Sequence, residues 1–151
     1  MTVKVACEPV RQPDIARLLE LSDSYMATLY PADSNHAPDL DSLDKPGVSF
    51  FVARWDGEIA GCCALVRKPD GTGEIKRLFV AAQARGQSLG KCLMQAVEQA
   101  ARQSNLSAIR LETGIHQPEA IALYRRLGYV DIAPFDDYEQ DPLSLFMEKR
   151  L

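Results

Sequence analysis

No apolar run in the 151 residues approaches the ~20 needed to cross a bilayer, and none of the chain is repetitive or of low complexity. A single domain spanning 1–151 is therefore expected, with no membrane partner. The N-terminus lacks a basic segment followed by a hydrophobic stretch, so a cytoplasmic location is expected. The four cysteines, Cys7, Cys62, Cys63 and Cys92, show no metal-ligand spacing. Neighbours in a strand point to opposite faces, so Cys62 and Cys63 read with the others as small buried hydrophobes in a reducing compartment. His36 by itself argues for neither a metal nor a base, and no metal is expected. A basic excess is also missing. The net charge of −4 argues against general nucleic-acid binding.

Charge is nevertheless unevenly placed. Residues 74–110 hold Lys76, Arg77, Arg85, Lys91, Arg102 and Arg110 against Glu74 and Glu98, whereas residues 131–148 hold six acids and no base. Such a basic centre fits an anionic cofactor, and the acidic edge fits a cationic substrate.

The patterned segments alternate strand and helix. A first edge strand within Thr2–Val10 leads to a helix opened by Pro13 and ended by Pro31. Ser49–Arg54 and Glu58–Val66 flank Asp56-Gly57, a hairpin signal, and a turn at Lys68–Gly71 leads into a strand at Glu74. Apolar residues at Leu89, Cys92, Leu93, Ala96, Val97, Ala100 and Ala101 then mark one face of a helix. A strand at Ser107–Glu112 and a helix between Pro118 and the capping Gly128 follow. The acidic segment beyond it ends in a further strand, expected at the sheet edge. The order implies an α/β fold with a mixed sheet.

Between Val80 and Leu89 lies a polar loop carrying Gly86, with Gly90 just inside the helix. Strand, glycine-bearing turn and helix N-terminus present backbone N–H groups to an anion. The spacing excludes two phosphate motifs. Only three residues separate Gly86 from Gly90, and Cys92 follows Lys91 where a P-loop needs a hydroxyl. Counting from Gly86, Ser88 and Lys91 occupy the later glycine positions of a dinucleotide fingerprint. On the loop alone, an ordinary strand-to-helix turn stays open.

The segment Gln83-Ala84-Arg85-Gly86-Gln87-Ser88 resembles the pyrophosphate-binding signature of the GCN5-related N-acetyltransferases (GNAT), with Ser88 where Gly or Ala is usual. Residues 120–129, with Ala120, Tyr124, Gly128 and Tyr129, resemble the family's second block, with Gln117 in place of its helix-opening Asn. The resemblance implies a mixed, mostly antiparallel central sheet flanked by about four helices. It implies acetyl-coenzyme A (acetyl-CoA) held by Leu78, Phe79, Val80, Gln83, Arg85, Gly86, Gln87, Ser88, Leu89, Gly90, Lys91, Gln117, Ala120 and Tyr124. It also implies a backbone N–H near Val80 on the thioester, Tyr124 as the acid for the leaving thiolate, and Glu74 as the base. The acceptor walls are expected at Tyr30, Asp33, Ser34 and His36, and at Asp136, Asp137 and Tyr138. They point to a small polar amine. A non-catalytic acyl-CoA sensor and a protein-lysine or N-terminal acetyltransferase are the alternatives. Pairing through the last strand would make a homodimer.

Overall fold

The structure, a computed structural model, describes residues 2–34 and 37–151. Seven strands form one sheet: β1 (Val3–Cys7), β2 (Val48–Trp55), β3 (Glu58–Arg67), β4 (Gly73–Val80), β5 (Ala108–Gly114), β6 (Val130–Ile132) and β7 (Ser144–Arg150). Among the described residues four α-helices accompany them: α1 (Pro13–Leu29), α2 (Leu40–Leu43), α3 (Leu89–Gln103) and α4 (Pro118–Arg126). The strand order is β1-β2-β3-β4-β5-β7-β6, and every pairing is antiparallel except β4 with β5. The mixed, mostly antiparallel sheet expected from the sequence is what forms.

Two-residue alternation divides the core. Phe51, Ala53, Cys63, Leu65 and Ile75 face α3 and α4, and pack on Leu93, Met94, Val97 and Tyr124. Phe50, Val52, Cys62 and Ala64 face the other way, against Ile15, Leu18 and Leu19 of α1 and Leu43 of α2. Adjacent Cys62 and Cys63 thus do lie on opposite faces. Cys7, by contrast, is exposed near the sheet edge, and Cys92 is half-buried, so not every cysteine belongs to the core. Asp56 and Gly57 both adopt positive φ (51° and 88°), the geometry whose twist matches a two-residue hairpin.

The final strand departs from expectation. β7 lies inside the sheet, between β5 and β6, and the edge belongs to Val130–Ile132. The basis for a dimer through β7 is thereby removed. Three residues after the Gly128 cap (φ 97°) are too few to show a period, and they take the outer position. The short α2, whose Asp39 side chain accepts from the Ser42 amide, also carries no periodic signal.

Arg54 on β2 fixes α1 by bonding Glu8 and the first-turn Asp14 at 2.9 and 2.8 Å. Those hydrogen bonds hold both carboxyls below their usual range. Further along α1, Asp23 pairs with Arg77 of β4. Arg77 sits at a bulge: the β3–β4 register slips between Cys62 and Ala64, and Arg77 takes φ 59°. Beyond it β4 leaves β5. The two strands pair only at Gly73–Ile109, Glu74–Arg110 and Ile75–Leu111.

Two stability effects are expected. Leu93 is fully buried, so Leu93→Ala should cost about 3 kcal/mol and lower Tm by about 6–12 °C in a thermal melt. Ser88 carries φ 62° at the start of α3 with no side-chain capping bond. Ser88→Gly should therefore stabilise by about 0.5–1 kcal/mol, read as a higher denaturation midpoint.

Candidate active site

The parting of β4 from β5 opens the molecule on the sheet's central axis, and two clefts meet there. The outer cleft, about 740 Å³, runs between the mouth of α3 and α4. Its wall includes Val80, Arg85, Gly86, Ser88, Leu89, Gly90, Lys91 and Ala120. The inner one, about 100 Å³, is bounded by Lys76 and Arg77 of β4, Glu112 and Thr113 of β5, Tyr124 of α4, and Tyr30. Leu78, Phe79 and Gln117 border both. A long ligand in the outer cleft would reach the inner one across this seam.

The outer cleft suits an anion. Gly86 adopts φ 84°, which favours glycine, and the amides that open α3 carry no side-chain cap. Helix polarity adds positive potential at that end. Arg85, Lys91 and Arg126 border it against a single acid, Glu119. An added Cβ at Gly90 would stand 3.1 Å from Leu123 Cδ2, so glycine also lets α3 and α4 approach closely. These features fit a diphosphate at the helix mouth, with a slender arm running toward Gln117. Gln83 and Gln87 are exposed and lie outside both walls.

Sequence reasoning missed Tyr25 and Arg126. Tyr25, on α1, borders the outer cleft, with its ring 6.4 Å from that of Phe79 and the Arg85 guanidinium 5.0 Å above its face. The available signal was an aromatic at the margin of the buried stripe of its helix. Arg126 lay among the helix-end bases of α4, where charge usually serves the dipole.

Two carboxylates on the strands differ in access. Glu74 is 2% exposed and borders neither cleft. It pairs with Lys68 at 3.0 Å and Lys76 at 3.1 Å, and accepts a hydrogen bond from the Tyr138 hydroxyl at 2.7 Å. Glu112, which no sequence motif marked, borders the inner cleft and accepts from Ser144 Oγ at 2.7 Å. No local sequence signal could have found Glu112, because its place in the site depends on where β4 parts from β5.

Tyr124 is buried, and among the described residues its hydroxyl has no hydrogen-bond partner. The oxygen is not fully enclosed and faces the inner cleft. Burial chiefly, with the Cys63 and Glu112 charges behind it, pushes this phenol well above its ordinary range. It therefore keeps its proton.

The remaining expected acceptor residues divide. Tyr30 and Ser34 border the inner cleft, with Ser34 Oγ bonded to Asp141 at 3.1 Å. Asp33 lies in a single 3₁₀ turn and borders neither cleft. Asp136 pairs with Lys68 at 3.4 Å, Asp137 is exposed, and Tyr138 packs on Phe135 and Phe146; all three lie outside the cleft walls. His36 lies outside the described residues. Among the described residues no helix is long and apolar enough to cross a membrane, and no cluster of metal-binding side chains occurs.

The fold agrees with that of known proteins. Residues 15–129 match the model of the acetyltransferase (GNAT) family. An IAA acetyltransferase of Azospirillum brasilense is 47% identical over 150 residues, covering 99% of this chain and 98% of the relative. A crystal structure from Klebsiella pneumoniae, assigned as an acyl-CoA N-acyltransferase, superposes with a TM-score of 0.84 at 38% identity, over 99% of this chain and 98% of that one. An N-acetyltransferase of Thermoplasma acidophilum, solved with coenzyme A, shares the fold at 15% identity, with a TM-score of 0.77 and full coverage of both chains. The chain belongs to the GNAT family of acetyltransferases and is an N-acetyltransferase that uses acetyl-CoA.

Proposed function

We propose that this enzyme acetylates the amine of a small polar acceptor held in the inner cleft, with attack across the Leu78–Gln117 seam. The observation that carries this is the Tyr124 hydroxyl, protonated and open to the same narrow cleft as the Glu112 carboxylate. The inner space, about 100 Å³, matches the size of a small amine.

Acetyl-CoA, when bound, supplies an activated acetyl thioester. The chain's part begins with the acceptor's proton. An amine of pKa ~10.4 is neutral in only about one molecule per thousand near pH 7, so a group that takes the proton matters. Glu112 is suited to bind the ammonium and to accept that proton, directly or through water. Glu74 was the carboxylate expected from the resemblance, but two lysines and Tyr138 already surround it away from the cleft. Its work is to hold Lys76 against the cleft wall. At the other end of the reaction, Tyr124 Oη offers its proton to negative charge building on sulfur. A thiol's ordinary pKa is ~8.5, so full transfer from a phenol raised by burial is uphill. Tyr124 thus acts first as a hydrogen-bond donor that strengthens as charge develops.

Thiol release across a panel of small amines tests the activity; no release above background with any amine would end the proposal. Tyr124→Phe should lower kcat roughly 100-fold while coenzyme A affinity by calorimetry stays within about twofold. The carboxylates separate by their variants. Glu112→Gln should lose most rate at low pH and recover about tenfold per unit as the amine deprotonates unaided, with Tm unchanged. Glu74→Gln should instead lower stability by about 2 kcal/mol, since it leaves two part-buried lysines without their shared partner.

A further inference from the structure

Tyr30 ends α1 because Pro31 follows it, and its backbone is extended (φ −137°, ψ 148°). This turn carries the side chain, 8% exposed, across the end of β5. The ring stacks on His116 at 5.3 Å and lies against Gly114. A Cβ on Gly114 would fall 1.9 Å from Tyr30 Oη, so only glycine admits the phenol here.

The hydroxyl's bonds have a fixed direction. The His116 backbone N–H donates to Tyr30 Oη at 3.0 Å, and an amide N–H has no other option. The phenol's own proton therefore goes to its remaining partner, Gln117 Oε1, at 3.3 Å. The Gly114 N–H approaches the same oxygen at 3.4 Å. Two donors converging on one atom identify it as the carbonyl oxygen, which turns the Gln117 NH₂ group the other way. Gln117 stands at the N-terminus of α4 without capping it, and it borders both clefts. Its Nε2 has no hydrogen-bond partner among the described residues and is not enclosed.

We propose that Tyr30 is a positioning residue: it locks the Gln117 carboxamide so that Nε2–H faces the seam and donates to an amide carbonyl of the cofactor's arm. A residue on the acceptor wall thereby sets the donor's grip. The assignment rests on the outer cleft being the acetyl-CoA site.

Calorimetric titration with acetyl-CoA, beside thermal melts, decides it. Loss of one such hydrogen bond is worth about a fivefold to tenfold rise in Kd. Gln117→Ala and Tyr30→Phe should each show it, and the double variant should be no weaker than Gln117→Ala alone, since Tyr30 acts through Gln117. Gln117→Glu keeps an acceptor for Tyr30 and Gly114 but has no N–H to give; it should bind as weakly as Gln117→Ala with an unchanged Tm. Additive losses, an unchanged Kd in Tyr30→Phe, or full affinity in Gln117→Glu would overturn the proposal. Should Tyr30→Phe fail to fold, Gln117→Glu still decides. Failure of the unmodified enzyme to bind acetyl-CoA would instead overturn the outer-cleft assignment together with the proposal.

Discussion

The parting of β4 from β5 after three paired positions is the constraint on which the site depends. Parallel strands of one sheet ordinarily stay bonded along their length, because buried backbone groups need partners. Here an extra residue at the Arg77 bulge turns β4 aside; α1 fastens the bend through Asp23, and the segment before α2 fastens it through the Pro38 carbonyl, which accepts from Arg77 Nε at 2.9 Å. Through the opening so made, groups from β4, β5 and α4 face one another across open space. A positive φ at a bulky residue is an energetic cost, offset by the ion pair and by Cys62 Sγ donating to the Arg77 carbonyl.

Charge in the site is graded. The outer cleft carries cations that water reaches, suited to a polyphosphate that must bind and leave. The inner wall carries cations already neutralised: Lys76 by Glu74 and Arg77 by Asp23. Glu112 stands among them as the acid that borders the inner cleft, near enough to add to the rise of the Tyr30, Tyr124 and Tyr138 phenols, each raised first by burial. A field of this kind draws an ammonium inward while keeping the phenols protonated.

Much of the fold was legible because its elements are locally consistent. The α3 stripe, the Asp56-Gly57 turn and the Pro118 start each speak through a few neighbouring residues. The glycine loop could be read as a candidate anion site for the same reason. What could not be read was pairing between distant segments. Nothing in residues 144–150 says that they enter beside β5, and nothing in 130–132 marks an edge. The acceptor site suffered likewise. Acidic composition at 136–137 suggested a substrate wall, but Lys68 and a T-shaped aromatic packing of Phe135, Tyr138 and Phe146 turn that loop toward Glu74. Glu112 gave no local signal because its significance comes from a strand that leaves it.

The inward position of β7 has a bearing on biosynthesis. Its seven cross-strand partners on β5 lie up to 42 positions earlier, so the β5 flank waits for residues 144–150 to emerge. Until residue 150 clears the ribosome, β5 presents bare backbone to the cell, and β6 has nothing to join. The half-sheet β1–β4 can assemble earlier around its hairpins, whereas the half holding β5, β6 and β7 is completed only when β7 arrives.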